Sequence, residues 1–299
     1  MSGQVRQLLR AMRPRQWAKN LLIYLAFFFT LGSHRSDTLS GELSLFGWVT
    51  LAFAIFSLIS GATYVLNDYR DIAQDRLHPT KRLRPFASGR LSPSFGLPAA
   101  ALIALGGVAG AFAIDWRFGL VTVIYLTVTL AYNFALKEQV LLDIMAVAAG
   151  FVLRAAAGAL VIDVPISPWL YVMTSLGALL ISLGKRRNEL TNLGSDGSAH
   201  RAALGHYTKE LIDQLVAVVA PAMVVSYTLY TFTAENLPAD HSMMLTIPFV
   251  VYGVFRYLYL VHRQNLGGAP EEIFLTDRPL LLDIVLWLGT ASAVLLIAR

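Results

Sequence analysis

The stretch Asn67–Gly89, "NDYRDIAQDRLHPTKRLRPFASG", places three carboxylates just ahead of a run of cations. If the apolar helix before it continues through Asp75, then Asn67, Asp68, Asp71 and Asp75 fall near 0°, 100°, 40° and 80° around the axis at about 100° per residue. The three acids then share an arc of about 60°, where like charges destabilise one another by a few tenths of a kcal/mol per exposed pair. A hard divalent cation removes that cost, because Mg²⁺ takes carboxylate oxygens together with waters and phosphate oxygens. Asn67, Asp68, Asp71 and Asp75 are therefore candidate metal ligands. Lys81, Arg82 and Arg84 complement them, Arg gripping phosphate bidentately and Lys acting as a point charge. The plainer alternatives are a solvated helix end whose acids pair with Arg70 and Arg76, and a basic loop facing lipid headgroups.

A second charged knot is "GKRRNEL", Gly184–Leu190. Lys185 and Glu189 are one turn apart on one helical face. They read either as an exposed pair beside topology-setting Arg186 and Arg187, or as a second phosphate clamp facing the first. Tyr132 and Lys137, in "YNFALK", close another apolar run. Arg154 falls mid-span, where a charge must face protein or water. It is a candidate substrate contact, with a structural pair to Asp143 as the alternative.

The elements that carry these groups are membrane helices. The chain has 299 residues, 56% hydrophobic and 14% charged, with mean hydropathy +0.58, less charge than a soluble protein of this size carries. There is no cysteine, which excludes disulfides, thiol nucleophiles and thiolate metal sites. Apolar runs predict nine spans at roughly 17–33, 44–66, 94–114, 118–136, 139–162, 166–183, 210–233, 242–261 and 278–298. The first is short and weak; "DWRFG" and "KEQ" are tight links that predict helical hairpins. With the N-terminus inside, 19 of the 24 Lys and Arg fall in inner segments and three in outer ones, so the positive-inside rule puts both charged knots on the cytoplasmic face. Without linkers or low-complexity segments, residues 1–299 read as one all-α integral membrane domain. That topology accounts for the basic pI of 9.5, and no nucleic-acid partner is expected.

The pattern N-D-x-x-D-x-x-x-D after an apolar helix, followed by "HPTKRLRP", resembles the first aspartate-rich motif of the UbiA superfamily of intramembrane prenyltransferases. "RPRQWAKN" at Arg13–Asn20 is similar to that superfamily's lead into its first helix, and the nine-span layout is similar too, so the resemblance covers nearly the whole chain. One departure matters. Members that consume prenyl diphosphates usually carry a second motif, D-x-x-x-D, after the sixth helix; here "KRRNE" stands there, with Lys185 and Glu189 in place of the two acids. Together with "YNFALK" and "PEEIFLTDRPLLL", this resembles the phosphoribosyl-transferring branch of the superfamily, which serves cell-wall arabinan synthesis.

The resemblance implies a nine-helix bundle with a cytoplasmic-facing site and a Mg²⁺-dependent transfer of 5-phosphoribose from 5-phosphoribosyl-1-diphosphate to a polyprenyl (decaprenyl) monophosphate. It implies an inner (plasma) membrane enzyme with Asp68, Asp71 and Asp75 as catalytic metal-binding acids. Lys81, Arg82, Arg84, Lys185 and Arg186 would serve as phosphate ligands beside Glu189. Tyr64, Tyr132 and Lys137 would meet substrate, and Lys19 would reach the lipid phosphate. A homo-oligomer is compatible with the sequence but not specified by it. Two rivals remain: an aromatic prenyltransferase using a prenyl diphosphate, and a non-catalytic polyprenyl-phosphate transporter. The first is disfavoured by "KRRNE"; the second has no need of three acids on one helical face, and no inverted repeat with paired broken helices is seen.

Overall fold

A computed structural model describes residues 3–30, 39–166, 168–193, 202–234, 237–264, 266–268, 273–274 and 276–297. Arg35 and Arg299, two of the outer cations, lie outside those residues, as does the "PEE" of the 270–282 motif. Among the described residues the chain is all helical. Its α-helices are α1 (Gly3–Ala11), α2 (Leu25–Thr30), α3 (Leu39–Arg70), α4 (Ile72–Leu77), α5 (Pro93–Ile114), α6 (Trp116–Phe134), α7 (Leu142–Val161), α8 (Pro168–Leu193), α9 (Lys209–Thr233), α10 (Ile247–Arg263) and α11 (Arg278–Ile297).

Seven helices are long and apolar enough to cross a membrane: α3, α5, α6, α7, α9, α10 with its preceding turn, and α11. The chain is a multi-pass membrane protein. The two other expected spans are helical but differ in kind. Of the 17–33 span, residues 31–33 lie outside the described residues, and the rest is divided between a 3₁₀ helix, Pro14–Tyr24, and the six residues of α2. The 166–183 span belongs to the 26-residue α8, which opens on Pro168 and Trp169 and ends in the polar "GKRRNELTNL". That composition lowers its apolar content without shortening it.

The tight links form as expected. Asp115 alone joins α5 to α6, and its Oδ1 caps α6 by accepting from the Arg117 and Phe118 amides at 2.8 and 3.1 Å. A 3₁₀ turn, Leu136–Glu138, joins α6 to α7. One core, around Phe56, Ile59, Phe118 and Tyr125, gathers α3, α5, α6 and α7; another, around Leu183, Ile212, Tyr257 and Leu260, gathers α8, α9 and α10. The 3₁₀ segment crosses α7 so closely that a Cβ at Gly158 would collide with the Ile23 carbonyl. That crossing brings the N-terminal basic residues over the end of α3.

Candidate active site

The end of α3 carries the acid cluster. The helix pauses at Asp71 rather than running smoothly through Asp75, but its bonding pattern persists: Asp71 N–H donates to the Asn67 carbonyl at 3.0 Å and Asp75 N–H to the Asp71 carbonyl at 2.8 Å. Each acid has a cation brought from elsewhere. Asp68, only 1% exposed, is ion-paired to Arg13 and lies 3.2 Å from Arg84 Nη1. The same Arg84 nitrogen bonds Asp75 Oδ2 at 2.7 Å. Asp71 accepts from Lys137 Nζ at 3.2 Å on one oxygen and from the Asn67 amide at 3.0 Å on the other.

The two cations expected to neutralise this face if it were merely a solvated helix end do not do so. Arg70 donates to the carbonyls of Asn133 and Phe134 and lies 4.9 Å from the Phe134 ring centroid. This ties α3 to the end of α6 and delivers Lys137 to Asp71. Arg76 donates to the Ala87 carbonyl at 3.3 Å. Lys81 and Arg82 are exposed on a 3₁₀ turn just beyond, where the His78 ring accepts from the Thr80 and Lys81 amides.

The end of α8 carries the second knot, and it is built differently. Arg186 is buried, with Nε 2.7 Å from Asp143 Oδ2 and an Nη1 ion pair to Glu189. Tyr207 donates its hydroxyl proton to Asp143 Oδ1 at 2.8 Å and accepts from the Leu141 amide at 2.8 Å. Lys185, past the apolar part of α8, keeps solvent access and lies within electrostatic reach of Glu189, Lys19, Arg186 and Tyr132.

Arg154 stands apart. Its Nε donates to Asn20 Oδ1 at 2.7 Å, Nη1 to the Gly150 carbonyl at 2.8 Å and Nη2 to the Tyr125 hydroxyl at 2.7 Å. The guanidinium also lies over the Tyr125 and Phe151 rings. Asn20 in turn donates to Ser57 and Ser60. The alternative pairing with Asp143 is corrected: Asp143 belongs to Arg186, and Arg154 ties the 3₁₀ segment to α3, α6 and α7.

A model of the UbiA prenyltransferase family matches residues 21–277. The chain belongs to the UbiA family. It is 35% identical over 285 residues to a decaprenyl-phosphate phosphoribosyltransferase of Mycobacterium tuberculosis, covering 95% of this chain and 92% of the relative. A protein of the same name from Corynebacterium glutamicum is 33% identical, covering 94% of this chain and 84% of the relative. Among solved structures, a UbiA homolog from Archaeoglobus fulgidus bound to GPP and Mg²⁺ superimposes with TM-score 0.73 at 18% identity, covering 97% of this chain and 99% of that one. That likeness concerns the fold.

The donor set of this UbiA member bears on the metal. Among the described residues no three His, Cys, Asp or Glu side chains converge as a preformed metal cage. The oxygen donors are nevertheless those a hard cation takes, and Mg²⁺ is commonly held by one or two carboxylates plus substrate phosphates rather than by an all-protein cage. Asp68 and Asp75 share one Arg84 nitrogen, so their oxygens are close neighbours, and Asp71 follows within one turn. The residues fit a hard divalent cation whose remaining ligands are waters or phosphate oxygens.

The acids and Lys137 are thus brought together, as are Lys19, Tyr132, Lys185, Arg186 and Glu189. Tyr64 lies under Arg13, its ring centroid 5.2 Å from the guanidinium carbon. Sequence reasoning missed Arg13 as a partner of Asp68 and Tyr207 as a partner of Asp143. A usable signal for Arg13 was its place before Pro14, which disfavours helix and marks a turn; the residue adopts a left-handed φ of 53°.

Proposed function

We propose that this UbiA member transfers the 5-phosphoribosyl group from 5-phosphoribosyl-1-diphosphate to a polyprenyl monophosphate of the decaprenyl class, releasing diphosphate, in the synthesis of a cell-wall arabinan precursor. The observation that carries the proposal is the second knot: where a prenyl-diphosphate enzyme would hold a second acidic pair, Lys185 stands accessible and Arg186 is locked between Asp143 and Glu189. An accessible lysine in place of an acid suits a second phosphate better than a second metal ion. The near-full-length relatives named decaprenyl-phosphate phosphoribosyltransferase support the same reading.

In this mechanism a lipid phosphate oxygen attacks the anomeric carbon of ribose as the bond from that carbon to the diphosphate breaks, and the electron pair leaves with the diphosphate. A phosphate monoester is already ionised, so no strong general base is needed. Mg²⁺, when bound, supplies charge neutralisation on the leaving group. The protein's task is to align two mutually repelling anions and stabilise departing charge. Asp68, Asp71 and Asp75 with Asn67 are the metal-binding face. Lys81, Arg82 and Arg84 serve the diphosphate, while Lys185 and Lys19 serve the lipid phosphate. Tyr64, Tyr132 and Lys137 line the sugar's position, and Arg186 with Glu189 fixes Lys185. The bundle acts as one domain with nine passes, α8 and the 3₁₀–α2 segment included, in the plasma membrane with the site toward the cytoplasm.

The test supplies purified protein with radiolabelled phosphoribosyl diphosphate, polyprenyl phosphate and Mg²⁺, and in parallel with prenyl diphosphate and 4-hydroxybenzoate. The expected result is a labelled lipid and released diphosphate in the first arm only. Prenylated hydroxybenzoate would establish the aromatic-prenyltransferase alternative instead. No product in either arm, with facilitated movement of polyprenyl phosphate across vesicles, would establish the transporter.

A further inference from the structure

We infer that Arg13 competes with the divalent metal for Asp68 and becomes a ligand of the diphosphate once the metal occupies that carboxylate. This rests on reading the end of α3 as a metal–diphosphate site. Asp68 Oδ1 receives two guanidinium groups, from Arg13 and from Arg84. Asp68 is almost fully enclosed, so an incoming dication must share that oxygen with them or displace one. The partners are not equivalent. Arg84 has a second carboxylate, Asp75, at 2.7 Å and keeps that partner at the moment the metal takes Asp68. Arg13 has no second carboxylate partner among the described residues; its other neighbour is the face of Tyr64. Its side chain is 28% exposed, so it has room to move.

The backbone under Arg13 suits such an exchange. The residue is held at φ 53°, with its N–H donating to the Arg10 carbonyl and its carbonyl accepting from the Gln16 amide at 2.8 Å, and Pro14 follows at the start of the 3₁₀ segment. A fixed main chain with a long, flexible side chain lets the guanidinium change partner without moving a helix. Its planar fork matches two diphosphate oxygens as well as it matches a carboxylate. The sequence motif "RPRQWAKN" thereby contributes a substrate ligand besides Lys19.

The experiment measures two affinities that a purely structural Arg13 would move together. Mn²⁺ binding to full-length wild type, Arg13→Gln and Arg13→Lys is followed by electron paramagnetic resonance without substrate, and the half-saturating phosphoribosyl diphosphate concentration is measured by turnover. Arg13→Gln is expected to bind Mn²⁺ more tightly, by about three- to tenfold. It is expected to require roughly ten- to hundredfold more phosphoribosyl diphosphate, the loss of one charge-assisted contact. Arg13→Lys should fall between wild type and Arg13→Gln on both scales. Unchanged or weaker Mn²⁺ binding in Arg13→Gln overturns the inference, as does misfolding of both variants, which would make Arg13 a strut. Tighter Mn²⁺ binding in Arg13→Gln alongside a wild type that makes no phosphoribosyl lipid would leave the competition standing and sink the proposed function instead.

Discussion

The ends of α3 and α8 contain the same kinds of charge, yet they are put together on opposite principles. At α3 the acids are clustered and each is met by a cation from another segment: Arg13 from before the 3₁₀ helix, Arg84 from the following loop, Lys137 from the α6–α7 turn. Those cations stay 28%, 24% and 17% exposed, so water can replace them when they turn away. At α8 the central pair is dry: the Arg186 and Asp143 side chains are 4% and 0% exposed, and a tyrosine and a glutamate saturate what remains. Removing Asp143 leaves the buried Arg186 guanidinium with only the partly exposed Glu189 as counter-charge. Charge content therefore does not distinguish ligand from scaffold; the exposure of the partner does. On the proposed reading the first cluster exchanges partners, and the second holds one exposed lysine still.

The largest effect that would break this contrast is at α3. Asp68→Asn and Asp71→Asn are each expected to reduce turnover by at least about a thousandfold, since the loss of charge neutralisation on a leaving group costs several kcal/mol. Detergent-solubilised thermal stability should change little, because the freed Arg13 or Lys137 reaches solvent. EDTA should silence the wild type. Near-normal turnover of either variant at saturating Mg²⁺ would remove the metal from this face.

Next in size is a stability effect without counterpart at α3. Asp143→Asn removes the buried charge opposite Arg186 and leaves Glu189 as its one carboxylate partner among the described residues, a loss of at most about 3–5 kcal/mol, the cost of an uncompensated buried charge. A marked drop in melting temperature is expected, larger than for Asp68→Asn. Equal drops for the two variants would erase the difference between the clusters. Between these effects in kind lies Lys185→Ala, for which melting is expected to be unchanged and the half-saturating polyprenyl phosphate concentration to rise about ten- to hundredfold. An unchanged kinetic profile would return Lys185 to a topological role.

What the sequence made legible follows from what is local. The acid face of α3 depends on 3.6-residue periodicity over eight residues, and it survives the pause at Asp71 because the helical bonds continue across it. The apolar runs of α5, α6, α7, α9, α10 and α11 are set by hydropathy alone. What stayed hidden was partnership at long range. Arg13 and Asp68 are 55 positions apart, and Arg186 and Asp143 are 43; no periodicity connects them. The mid-span position of Arg154 announced a need for polar company, but an asparagine, a carbonyl and a tyrosine supply it as well as a carboxylate would. Short, interrupted helices such as the 3₁₀–α2 segment read as one weak span because hydropathy does not record a change of helical geometry.

The smallest predicted effect probes how completely the α8 cluster is saturated. Tyr207→Phe removes one donor to Asp143 and one acceptor for the Leu141 amide, leaving Arg186 to hold Asp143 alone. The expected loss is about 1–2 kcal/mol, the range for a net hydrogen bond plus an unpaired backbone donor. It should appear as a modest fall in melting temperature, smaller than for Asp143→Asn. The pH dependence fixes the source. Burial, followed by the bond to Asp143, pushes the Tyr207 hydroxyl up from its usual value to about 12. A group whose folded pKa lies above its unfolded value near 10 stabilises fully below the unfolded pKa, and that contribution fades as pH rises through the folded one. The difference in melting temperature between wild type and Tyr207→Phe is therefore expected to be flat from about pH 6 to 9 and to shrink only above about pH 10. A difference that varies between pH 6 and 9 would mean that the Asp143 cluster titrates in that range, and the α8 knot would then be no more fixed than its counterpart on α3.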